Sequence, residues 1–599
     1  MRDLLNWLDD RTGYRGLLSS VLFERIPGGA RWRYVWGSTL TFALFVQFLT
    51  GIVLWASYSA NAQGAWESVY FIQNEMLGGW LLRGVHHYTA QVMIVLLVLH
   101  LMQVLIDGAY RAPREVNFWF GLALLFLVLG LSLTGYLLPW DQKGYWATKV
   151  ATSIASMTPI VGPAMQQLLI GGVEYGHHTL TRFFALHAGV LPAGIVLLVL
   201  GHVYLFRRHG VTVPEKARRN PDGTFWPEQV LRDGVASLVV MATVLAVVLW
   251  TGGAHLGSPA DPTEPYAAAR PEWYFLFLFQ WLKYFPAGWE VVGAQVIPGL
   301  VVGLIAAMPL LGRWRLGHRF NLGVGASVLL GILMLTWLAR AEDEADPAFL
   351  AARSEAESVA HRVQELAASP RGIPAAGGLA LLRSDPLTQG PKLFEANCSS
   401  CHRINGHDGL GNEPADEPAA SDLAGYGSRE WLTGLLDPDR IRTPDYFGAT
   451  GHRNGRMARF VGRRVARFTD EEAAKLEKVI KAVSAEAALP SQAALDSVDA
   501  ADIAEGRLLI SAEEINCTRC HTFNGVTEDD VGPLLTGWAS RSWLLGLLHD
   551  PEHESYYGDD NDDMPAFGAE GILSETELEL LTDWLRGDWY ESTPDPLGR

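Results

Sequence analysis

Long apolar runs alternate with short polar links over residues 1–340, and an acidic, mixed pattern replaces them over 341–599. Seven runs are long enough to cross about 30 Å of hydrocarbon as helices. They fall near 36–56, 84–106, 115–138, 181–205, 232–251, 291–311 and 321–340. This predicts an all-α chain, with a seven-helix transmembrane bundle ahead of a soluble part. Arginine and lysine gather before the first run and after the second, fourth and sixth. By the positive-inside rule those links face the cytoplasm. Seven crossings then deliver the carboxyl-terminal part to the other side. No secretory signal peptide is expected ahead of the first run.

The soluble part contains a linker over 341–390, with a short amphipathic helix expected at Ala351–Leu366, and then two repeats. Asn397–His402 matches Asn516–His521, and Ser428–Leu436 matches Ser540–Leu548. Each repeat closes on a helix with an acidic cap, after Thr469 and after Ser574. The repeats define units over 391–490 and 500–590. Both contain C-x-x-C-H, as Cys398, Cys401, His402 and as Cys517, Cys520, His521. That spacing is a c-type haem attachment site. These are the only four cysteines of the chain. None remains for a disulfide or an iron–sulfur cluster. A methionine downstream is the expected distal ligand of each haem: Met457 for the first and Met564 for the second, both with Phe at +3. His452 is a rival to Met457. The units thus read as two class I type cytochrome c domains.

Charge adds one exclusion and one option. The net charge is −18, and no basic stripe runs along a soluble face, so no nucleic-acid partner is expected. Asp559, Asp560, Asp562 and Asp563 flank the second methionine and could steer a basic partner.

Four histidines interrupt the apolar runs. His86 and His100 lie 14 apart in the second, and His187 and His202 lie 15 apart in the fourth. An imidazole in hydrocarbon is costly and marks function. Each gap spans roughly 21–22 Å of helix. Both runs cross in the same direction, so the histidines pair at matched depths and can ligate two haems, one near each membrane surface. Gly37 and Gly51 in the first run, and Gly121 and Gly135 in the third, repeat the 14-residue interval. Missing side chains there let a flat macrocycle approach the backbone. Arg83, Arg111 and Arg114 are candidates for the haem propionates.

Two outer links carry further chemistry: Gly135–Gln142 with Gly144-Tyr145-Trp146, and Pro271-Glu272-Trp273-Tyr274. A carboxylate between Pro and Trp at an apolar interface is poorly solvated. Such a group can take a proton from a quinol hydroxyl.

Residues 20–340 resemble cytochrome b of quinol-oxidising bc complexes, closest to the b6f type, in which a four-helix haem subunit is followed by a three-helix one. Here the two would be one chain, as 1–220 and 221–340. The resemblance implies that His86, His100, His187 and His202 are axial ligands of two non-covalent b haems. It also implies that Pro271, Glu272, Trp273 and Tyr274 line an outer quinol site, with Glu272 as proton acceptor. One electron would pass through the b haems to an inner quinone, where Arg207 and Asp233 are candidate proton carriers. The other would pass through a separate Rieske iron–sulfur protein to the two covalent c haems, and on to a c-type cytochrome or terminal oxidase. A homodimer is expected, multi-pass in the lipid of a bacterial cytoplasmic membrane, with the c domains periplasmic and proton translocation coupled to turnover. The sequence departs from the b6f type at Arg33–Gly37, where no cysteine is present to anchor an extra haem. Two other readings share these residues: a quinone reductase fed by the c haems, and a non-catalytic electron-transfer anchor. The second would not need the Pro-Glu-Trp-Tyr loop.

Overall fold

The computed structural model describes residues 2–529 and 531–592. The fold is helical. Among the described residues the only strands are Arg25–Ile26 and Gly223–Thr224, an antiparallel pair tying the amino-terminal segment to the 210–230 link. The chain divides into two compact units, 1–367 with 373–379, and 368–372 with 380–599.

Six helices of the first unit are long and apolar enough to cross a membrane. Five of them are α1 (Val35–Trp55), α2 (Gly79–Asp107), α3 (Glu115–Tyr136), α4 (His177–His209) and α5 (Val230–Thr251). The predicted run over 291–311 is not one regular helix. A π-turn at Val292–Val296 leads into α6 (Ile297–Ala306), which breaks at Ala307 before Met308–Leu311. Pro298 and Pro309 explain both irregularities, because each lacks an N–H for the helical ladder. The sixth long helix is α7 (Gly317–Ala345). The outward faces are apolar, with Leu197 and Leu238 each 70% exposed and Trp250 85% exposed. A surface of that kind suits lipid rather than water.

α4 contains a second π-turn, Leu186–Val190, with His187 inside it and Pro192 just beyond. The Leu191 N–H bonds back to the Leu186 carbonyl, five residues away. A π-turn absorbs one extra residue into a helix. The 15-residue interval from His187 to His202 therefore places both rings on one face, as the 14-residue interval does in α2. α1 packs on α2, and α3 packs on α4.

The loop after α3 is locked to the loop after α5. Asp141 is buried and accepts from the Gly144 and Gly257 N–H groups at 2.8 and 3.2 Å. The Ala260 N–H bonds the Trp140 carbonyl at 2.9 Å.

In the second unit each C-x-x-C-H segment follows a helix, α8 (Pro386–Asn397) or α11 (Ala500–Leu509). Each repeat then has a short middle helix, α9 (Arg429–Leu435) or α12 (Arg541–His549). The closing helices are α10 (Asp470–Glu486) and α13 (Glu575–Arg586). Thr469 and Ser574 start these with capping boxes, as the sequence predicts. The repeats also share tertiary bonds. Trp431 Nε1 donates to the Asp422 carbonyl and Trp543 Nε1 to the Leu534 carbonyl, both at 3.0 Å. Self-contained domains would pair α8 with α10 and α11 with α13. The structure instead pairs α8 with α13 and α10 with α11. Lys478 and Lys481 of α10 reach Glu505 and Asp502 of α11, each at 2.6 Å.

The α10–α11 contact is close enough to require glycine. A Cβ on Gly506 would lie 2.0 Å from the Lys478 carbonyl oxygen. Gly506→Val should cost about 1–3 kcal/mol through overpacking. Thermal unfolding followed by tryptophan fluorescence should show a lowered midpoint for the second unit.

Candidate functional site

The histidine pairs form as the spacing predicts. His86 faces His187 with ring centroids 6.3 Å apart, and His100 faces His202 at 6.4 Å. The rings are steeply crossed, at 73° and 81°. Two metal–imidazole bonds of about 2 Å each, with the ring radii, account for these separations. Direct packing of two imidazoles would bring them closer.

Three of the four rings have Nδ1 engaged, which leaves Nε2 for iron. His86 Nδ1 meets Thr50 Oγ1 at 2.8 Å. His187 Nδ1 lies 3.1 Å from the Leu131 carbonyl, and His202 Nδ1 lies 3.1 Å from that of Asn117. His100 Nδ1 is buried without a partner.

The glycines act on the histidines themselves. A Cβ at Gly37 would meet His100 Cε1 at 3.8 Å, and one at Gly51 would meet His86 Cε1 at 3.2 Å. On the other side, Gly121 faces His202 Cε1 at 3.3 Å and Gly135 faces His187 Cε1 at 2.5 Å. Each glycine thus clears room for one imidazole, a more local role than approach of a macrocycle. The cradles fit two bis-histidine haems.

The arginines expected at propionates are engaged in part by protein. Arg83 donates to the carbonyls of Ala254 and His255 at 2.7 and 2.8 Å and to Gln73 Oε1 at 2.8 Å. Arg114 donates to the His209 carbonyl at 2.9 Å. The Arg111 side chain lies against Gly108.

The Pro271–Tyr274 segment turns into a short 3-10 helix, Trp273–Phe275, with Glu272 just before it. Glu272 Oε1 accepts from Lys143 Nζ at 3.2 Å, an ion pair that provides the carboxylate with local charge stabilisation. Lys143 also lies 5.5 Å from the Tyr136 ring, whose hydroxyl is buried without a partner. Trp273 Nε1 donates to Gln91 Oε1 at 3.2 Å, and Gln91 Nε2 contacts His87 Nε2 at 2.8 Å. His87 is next to His86 in the chain, so this relay sets the loop beside the His86–His187 pair.

Sequence reasoning missed Lys143, Gln91 and His87. The chain shows a polar residue four positions beyond His87 in an apolar run and a lysine between Trp140 and Trp146, but only the fold shows their partners Trp273 and Glu272. On the inner side, the candidates Arg207 and Asp233 have separate partners. Arg207 pairs with Glu24 at 2.9 Å, and Asp233 accepts from Gln229 at 2.8 Å.

In the second unit the haem-motif histidines are oriented alike. His402 Nδ1 lies 2.7 Å from the Ser421 carbonyl, and His521 Nδ1 lies 2.8 Å from that of Pro533. Burial holds His402 below the ordinary histidine range, in the neutral form a metal requires. Burial also pushes the Cys398 and Cys517 thiols up to about 12. His452 does not stand free, since its ring stacks on Tyr557 at 6.1 Å.

The glycine cradles predict a graded response. Gly135→Ala should displace His187 and remove the outer b-type haem, whereas Gly37→Ala should retain the inner one. Dithionite-reduced difference spectra of the purified chains will separate the two, and equal retention in both would overturn the cradle assignment.

The family model described as Cytochrome b(N-terminal)/b6/petB matches residues 91–264, and the Cytochrome c model matches 387–484. Cytochrome b of Rhodobacter capsulatus is 34% identical over 316 residues, which cover 50% of this chain and 71% of that protein. The menaquinol:cytochrome c reductase cytochrome b subunit of Geobacillus thermodenitrificans is 38% identical over 222 residues, 36% of this chain and 99% of the relative. Cytochrome b6 of Synechococcus elongatus is 34% identical over 214 residues, 36% of this chain and 100% of the relative. The chain belongs to the cytochrome b family and carries a cytochrome c domain on its carboxyl-terminal side.

Proposed function

We propose that this chain is the haem-carrying subunit of a quinol:cytochrome c oxidoreductase, with its c-type acceptor fused in two haem-binding units. The Trp273–Gln91–His87 relay carries the reading, because it joins a carboxylate-bearing loop to the outer end of the histidine ladder. When bound, two b haems at the histidine pairs and two c haems at the C-x-x-C-H motifs supply one-electron carriers.

Quinol oxidation releases two protons as well as two electrons, so a base is needed where the quinol binds. Glu272 accepts the proton from the quinol hydroxyl, and Lys143 holds its carboxylate in place. Tyr136, with its free buried hydroxyl, and Tyr274 line the same loop region. Gln91 positions Trp273. Arg207 and Asp233 remain our candidates for proton uptake at an inner quinone site. The topology is seven spans, counting the broken 291–311 segment, with the c-type units periplasmic. A Rieske iron–sulfur protein takes the first electron, since every cysteine of this chain lies in a C-x-x-C-H motif. The complex is a homodimer that couples turnover to proton translocation.

Glu272→Gln removes the base while keeping the shape of the side chain. Quinol-dependent reduction of cytochrome c by the purified complex should fall about 100-fold, with b and c haem spectra intact. An unchanged rate would refute the proton-acceptor role.

A further inference from the structure

The exchanged helices of the second unit bear on which methionine meets which haem. We infer that the c-type haems are ligated across the repeats: His402 with Met564, and His521 with Met457. The inference rests on the reading of both C-x-x-C-H motifs as haem attachments.

The buried surroundings of the two motifs are crossed. Cys398 and Phe394 of the first repeat share one core with Leu548, Phe567, Leu573, Leu578 and Leu581 of the second, and Met564 packs against it. Met457 does not belong to that core. The second motif sits in the other core. There Ile510, Ile515 and Phe523 are buried with Ile441, Ala458, Val461, Leu476 and Val479 of the first repeat, and Cys517 and Met457 pack against them. Met564 borders this core as well.

The helices around each motif agree. A Cβ on Gly390 of α8 would lie 2.2 Å from the Trp584 side chain of α13, and Phe394 packs on Trp584 with centroids 5.5 Å apart. α10 and α11 are in the same close contact through Gly506. The histidine side of each pocket stays within its repeat, through the Ser421 and Pro533 carbonyls. Only the far wall is exchanged. The two methionine loops also touch, since the Gly451 N–H donates to Asp562 Oδ2 at 2.5 Å.

α10 and α11 are neighbours along the chain, and pairing them closes only the 487–499 connection, while α8 and α13 then close a longer span than either self-contained pairing would. Exchange of equivalent elements between repeats is a familiar outcome in tandem arrays.

The test uses the full-length chain with one attachment site removed. Cys398→Ala with Cys401→Ala leaves a single c haem, on His521. Adding Met457→His should abolish the sulfur-to-iron charge-transfer band of that haem and lower its midpoint potential. Adding Met564→His should leave both unchanged. The reciprocal background, Cys517→Ala with Cys520→Ala, should respond to Met564→His and not to Met457→His, and it serves if the first fails to mature. The opposite response in either background, or no response to either methionine, overturns the crossed ligation. Haem staining of the unaltered chain after denaturing electrophoresis checks the attachment reading separately. Absence of covalent haem would overturn both, whereas covalent haem with the opposite response overturns only the crossing.

Discussion

An imidazole inside a hydrocarbon layer has no water to hydrogen-bond, so four of them at two depths are costly and their partners shape the bundle, which supplies a partner to three of the four rings. That constraint organises the first unit. It sets which faces of α2 and α4 point inward, and it holds the paired rings 6.3 and 6.4 Å apart. It also requires a hydrogen-bond partner behind the rings, provided by Thr50 and by the carbonyls of Leu131 and Asn117. α1 and α3 supply those partners and also lack a Cβ at each of four levels.

The two helices that bear the histidines reach the same end by different means. α2 uses a regular 14-residue interval. α4 has one residue more and spends it in a π-turn ahead of Pro192. The same combination of π-turn and proline recurs before α6, where no histidine is involved. Proline therefore sets where the ladder yields, and His187 lies inside the yield. Irregularity at a ligand is common because a bulge can re-aim a side chain without ending the helix.

The outer loop shows how a polar site is assembled at a membrane surface. Glu272 sits opposite Lys143, which arrives from the loop after α3, and Trp273 is tied to Gln91 on α2. Asp141 locks that loop to the one after α5 through buried backbone donors. Three separate chain segments thus meet in one place.

The histidine intervals, the glycine intervals, the C-x-x-C-H motifs and the capping residues Thr469 and Ser574 were all legible in the chain itself, because each is a local pattern read against a helical period. Six of the seven runs were legible as membrane-length helices; the run over 291–311, read as one span, is broken at its prolines. Lys143 and Gln91 were not legible, since their roles depend on partners 129 and 182 residues away that only packing identifies, and His87 enters only through its helical neighbour Gln91. The pairing of α8 with α13 and of α10 with α11 escaped for the same reason: equivalent helices of two repeats present similar faces, and sequence order cannot choose between them. Composition and spacing by themselves determined the helical class, the membrane-length runs and the intervals between histidines. The tertiary structure alone decided which side chains complete each site, because those contacts are settled by chain crossing and close packing rather than by any local period.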